Sequence, residues 1–142
     1  MLRRSGWPAN SYFFKLMKYL YILITTLLFT LVAHAQKIEW KEMDTFHDLS
    51  NKTLHTAIAG DVQPLKQNNE QLLTDALQWQ KSTTPAEITS PKIKTDLDEL
   101  VKECAEMNAA VKAGKPDKDL QQLADKTHKT FHVILAECTT KH

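Results

Sequence analysis

The stretch THKTFHVILAEC, Thr127 to Cys138, holds two histidines four residues apart with a cysteine beyond them. On a helix, positions i and i+4 share a face, so the rings of His128 and His132 point the same way. Paired imidazoles on one face suit Zn or Cu, provided that further ligands come from a neighbouring element. His47, near the other end of the chain, is the first candidate. If the first and last amphipathic segments lie antiparallel, Glu39 falls level with about Thr139, and His47 with about Phe131, between His128 and His132. Asp44 and Cys104 fall near the same level and are candidates for a fourth ligand. His55 falls lower, level with about Leu123, and His142 belongs to the frayed end. The competing reading is plain: H-x-x-x-H arises by chance in many helices, and a histidine on a helix flank is commonly solvated.

Other chemistry is thin. The sequence has no G-x-S-x-G, glycine-rich phosphate loop, H-E-x-x-H or C-x-x-C, and its terminal C-x-x-x-H is one cysteine short of a haem-attachment motif. The carboxylates are spread over the solvent faces as lysine partners, as with Asp98 and Lys102 or Asp125 and Lys129. No nucleophile and base pair is visible, which ranks an enzyme last. In a straight hairpin Cys104 and Cys138 differ in level by roughly 18 Å. A disulfide tolerates about 7 Å between Cα atoms, so the two are not expected to pair.

Four amphipathic segments would position these residues. The first runs from about Glu39 to Ala59, with most of Met43, Phe46, Leu49, Leu54, Ala57 and Ile58 on one stripe and Ser50 filling the gap between Leu49 and Leu54. Gly60-Asp61 closes it, glycine as a C-terminal cap and aspartate as the next N-cap. The second spans about Val62 to Lys81. A polar linker, Ser82 to Ser90, leads to Ser90-Pro91, an N-cap followed by proline at the first helical position. The third carries Ile93, Leu97, Leu100, Val101, Cys104, Met107 and Val111 and ends at Gly114. The fourth runs from about Asp117 to Thr139, with Leu120, Leu123, Phe131, Ile134, Leu135 and Cys138 inward. Trp40 and Trp79 read as core or end-packing aromatics. No period-two alternation appears. Four such segments with short connections predict an all-α, up-down-up-down antiparallel four-helix bundle.

The front of the chain differs in kind. Residues 1–35 contain Arg3, Arg4, Lys15 and Lys18 but no acid, then an apolar run from Tyr19 to Val32 and Ala33-His34-Ala35. That pattern predicts a cleaved secretory signal peptide ending at Ala35, with Met17 an alternative start. The run is shorter than the ~20 residues that span a bilayer. The chain carries 18 basic and 17 acidic residues. Without its first 35 it keeps 14 lysines and all the acids, a net of −3 with neutral histidines, which argues against nucleic acid as a partner. The expected domain is therefore residues 36–142, periplasmic or secreted, with no membrane span after cleavage.

From Glu39 to Cys138 the chain resembles the cytochrome b562 and cytochrome c′ four-helix-bundle family. The resemblance rests on Met43 early in the first segment, His132 late in the last (QLADKTHKTFH), the linker KSTTPAEITSP and the turn AGKPDKDL. It implies an exported bundle holding haem b, with Met43 and His132 as axial ligands and electron transfer as a role. His47, His55, His128 and the two cysteines depart from that pattern, and lysines such as Lys126 and Lys129 stand where arginines often meet the haem propionates. Three readings stay open: haem b between Met43 and His132; a Zn or Cu site drawn from His47, His128, His132, Asp44 and Cys104; and a ligand-free structural or protein-interaction bundle.

Overall fold

The computed structural model describes residues 15, 17–19 and 38–139. The chain divides into two units, Met1–Lys37 and Ile38–His142. The apolar run and the expected cleavage point after Ala35 lie outside the described residues, apart from Tyr19. No helix among those described is long and apolar enough to cross a membrane.

The second unit is a helical bundle of α1 (Lys41–Ile58), α2 (Gln63–Lys81), α3 (Ile93–Lys112) and α4 (Asp117–Thr139). Each helix packs on the next, and α4 returns to pack on α1. The helix ends follow local chemistry. Gly60, at φ +113°, closes α1 by donating to the Ala57 carbonyl at 3.0 Å, while Asp61 N–H reaches Thr56 O at 2.9 Å. Gly114, at φ +63°, closes α3 in the same manner through Ala110 and Val111. Both have the paired 6→1 and 5→2 bonds that need a left-handed residue, which glycine supplies without strain. Asp61 then turns to cap α2, its Oδ1 accepting from Gln63 N–H at 3.0 Å. Ser90 Oγ accepts from Lys92 N–H at 3.3 Å before α3 and donates to Glu137 of α4.

The apolar stripes meet as expected except at Ile58, which is exposed at the last residue of α1. Phe46, Leu54, Leu65, Leu72, Trp79, Leu100, Met107, Leu120, Phe131 and Ile134 are buried, and Ser50 and Thr53 are buried with them on α1. Thr53 is satisfied by its own helix, donating to Leu49 O at 2.8 Å. The linker adds to the core through Ile88 and is tied down where Trp40 Nε1 donates to Ser82 Oγ at 2.7 Å. Cys104 and Cys138 are both free and buried, in keeping with the register argument against a bridge. Burial pushes the Cys104 thiol far above its usual range and that of Cys138 up to about 11, the carboxylates of Glu103 and Glu137 adding to each.

A candidate metal centre between the first and last helices

Four aromatic rings organise one part of the core. Phe46 lies 5.7 Å from Trp79 and 5.3 Å from Phe131, Trp79 lies 6.0 Å from Phe131, and Trp40 meets Trp79 edge-on at 5.5 Å. Phe131 extends this cluster to the α1–α4 seam. There it packs against His47 at 5.3 Å and meets His132 edge-on at 5.9 Å. His47 and His132 therefore rest against a buried apolar ring.

At this seam three imidazoles converge. His128 Nε2 is 2.9 Å from His55 Nε2 and 2.9 Å from His132 Nε2, the ring pairs being edge-to-face with centroids 4.3 Å apart. The ligand nitrogens of all three lie within 4.8 Å of one another. His55 and His132 are exposed and His128 is half-buried. Protons alone satisfy this arrangement poorly. One ring nitrogen offers either one N–H or one lone pair, so His128 Nε2 cannot make a full hydrogen bond to both neighbours. A cation that accepts three lone pairs satisfies all of them. Nitrogens at ~2.05 Å from a tetrahedral Zn lie about 3.3 Å apart, so the two short edges need to open by only about 0.4 Å. The protonation state suits a ligand as well. Burial, then the neighbouring His55 and His132, hold the His128 pKa below the ordinary imidazole range, with His47 adding to the effect and Asp125 opposing it.

A second set of contacts fixes how α4 is rotated. Glu103 of α3 is only 2 % exposed; its Oε1 accepts from Thr130 Oγ1 at 3.0 Å and lies 3.4 Å from Lys126 Nζ. Lys126 also reaches Glu99 and Glu106, each at 3.7 Å. Lys126 and Thr130 are two residues from His128, roughly 200° round the helix. Pinning one pair to α3 thus presents His128 and His132 to α1.

The candidate residues from the sequence separate into groups. His128 and His132 come together as expected. His47 is near, but its half-buried ring packs on Phe131, and the compact ligand group holds His55 in its place. Asp44 is half-buried on α1, and neither it nor Cys104 belongs to that group. Cys104 is buried within α3, where its raised pKa keeps it a neutral thiol. Met43 and His132 are in unlike surroundings: Met43 is 7 % exposed within the core, whereas His132 is exposed with Nε2 against His128. The packed rings of Phe46, Trp79 and Phe131 occupy the neighbouring interior, so these side chains do not fit a haem held by that axial pair.

Level alone explains why His55 escapes a sequence reading. By residue count it lies about five residues from His128, roughly 7 Å. Yet side chains of a helix lean toward its N-terminus. The contacts His55–His128 and His47–Phe131 descend α1 while ascending α4, so the leanings on the two helices oppose each other. His55 therefore leans toward His128 and closes the gap. Adding this lean to the level count would have found it.

The chain matches no protein-family model, no curated protein and no solved structure.

Proposed function

We propose that this chain is an exported protein that binds a divalent transition metal ion, Zn or Cu, through His55, His128 and His132. One observation carries the reading: His128 Nε2 lies 2.9 Å from both His55 Nε2 and His132 Nε2, with all three ligand atoms within 4.8 Å, an arrangement that a proton network satisfies poorly and a cation can satisfy. The helices follow an up-down-up-down course, supported by cross-helix contacts that climb one helix while descending the other. Glu70–Lys112 and Gln80–Asp98 do so between α2 and α3, as do His47–Phe131 and His55–His128 between α1 and α4. On that course the metal bridges the first helix to the last. Export, to a periplasm or the exterior, rests on the basic, apolar and A-x-A pattern of residues 1–35. The likeness to cytochrome b562 then extends to bundle architecture and not to haem ligation. The ligand-free interaction bundle is the outcome if no ion binds.

Titration of the purified protein with Co(II), watched through its visible d–d bands, tests the proposal. One ion per chain, with the intense bands of four-coordination, is the expected result, lost in His128→Ala and retained in His142→Ala. Absence of saturable binding leaves the interaction bundle. A Soret band on haem addition that disappears in Met43→Ala would restore the haem reading.

A further inference from the structure

The metal reading leaves one coordination position unaccounted for, and its surroundings decide what can fill it. A tetrahedral ion held by three imidazoles takes a fourth ligand. Among the described residues the compact ligand group stops at three. Cys104 is buried in α3 as a neutral thiol, and His47 is held against Phe131. Two of the three ligands, His55 and His132, are exposed, so the remaining position faces solvent and takes a water molecule. Sites that keep metal permanently close all four positions with protein ligands, whereas this one leaves a replaceable water on the outer face of a helix pair.

Resting on the proposed metal site, we infer that the open position admits a nitrogen or sulfur donor from an acceptor molecule, and that the protein passes its ion on by direct ligand exchange. In the first step the acceptor's imidazole or thiolate replaces the bound water, forming a ternary complex. The metal–nitrogen bonds to His132, His55 and His128 then break as further acceptor donors bind, leaving neutral imidazoles. The ion keeps its oxidation state, and a proton lost by an acceptor thiol goes to solvent. The acceptor this chemistry fits is a polypeptide with clustered histidine or cysteine ligands.

Rapid mixing of the zinc-loaded full chain with the chromogenic chelator 4-(2-pyridylazo)resorcinol tests the exchange. The expected transfer rate rises in proportion to chelator concentration, because chelator enters before zinc leaves. A rate independent of chelator concentration would overturn the proposal, since zinc would then be leaving unaided. Asn51→His provides the second arm. Asn51 is exposed and lies one turn from both His47 and His55 on α1, placing a new imidazole on the face that meets α4. Filling the open position in this way slows transfer several-fold at fixed chelator, and unchanged transfer would count against the inference. Failure of the metal site itself has a different signature: no zinc stays with the protein through gel filtration, and no transfer phase exists.

Discussion

If zinc binds as proposed, through His55 on one helix and His128 and His132 on another, it should stabilise the bundle beyond what metal on a single helix does, and the effect can be sized. Free zinc at a hundred times its dissociation constant adds about 2.7 kcal/mol to the folded state. The bundle, residues 38–139, is about 100 residues, for which an unfolding entropy of ~2.1 cal/mol/K per residue gives ~0.2 kcal/mol/K. The midpoint should therefore rise by about 13 °C. His55→Ala keeps the i, i+4 pair on α4 but cuts the link to α1. If affinity falls about a hundredfold, the same zinc concentration contributes only about 0.4 kcal/mol, a shift of about 2 °C. Thermal unfolding followed by far-UV circular dichroism, with and without zinc, measures both shifts. An equal shift in wild type and His55→Ala would refute a cross-helix site. A shift abolished by His47→Ala but kept in His55→Ala would move the site to the seam position that the helix levels first suggest.

Phe131, fully buried against Phe46, Trp79, His47 and His132, should cost about 3–5 kcal/mol when truncated to alanine. With a slope of about 2 kcal/mol/M, the urea midpoint would fall by about 2 M. Cys104 and Cys138, buried and with raised thiol pKa values, should react slowly with an aromatic disulfide reagent in the native protein and promptly in denaturant. A native internal bridge on a non-reducing gel would contradict the register of α3 and α4. In the metal-free protein His128 titrates below its unfolded value of 6.5, so the unfolded chain binds the extra proton first as pH falls. Stability should decline on acidification from about pH 6.5 and level off below the folded value, and His128→Gln should lack this component in denaturant titrations across that range.

Much of the fold was legible because its signals are local. The apolar stripes repeat with helical period, Gly60 and Gly114 sit just past the ends of α1 and α3, and Asp61 and Ser90 carry oxygens that accept from the backbone of the next turn. The seam was legible to the extent that spacing sets direction, which gave His128 and His132. It failed for His55, because a count of levels ignores the opposed lean of side chains on two helices. It failed for Glu103 for another reason. Beside Cys104 the carboxylate reads as one more solvated charge, and only Thr130 and Lys126, arriving from α4, allow it to be buried. For the haem expectation, spacing supplies a methionine and a histidine at suitable levels, but it does not show that Met43 lies in the core while His132 is exposed against His128.

The most direct test of the account is to identify the ligands one nitrogen at a time. Imidazole 1H–15N correlation spectra of the labelled protein, recorded with and without one equivalent of zinc, report the state of each Nε2. Metallation should shift the Nε2 resonances of His55, His128 and His132 together, in slow exchange and complete at one equivalent, while those of His47 and His142 keep the pattern of unligated rings. Zinc shifts at His47 or His142 without His55, or no saturable shift in any histidine, would contradict the central claim.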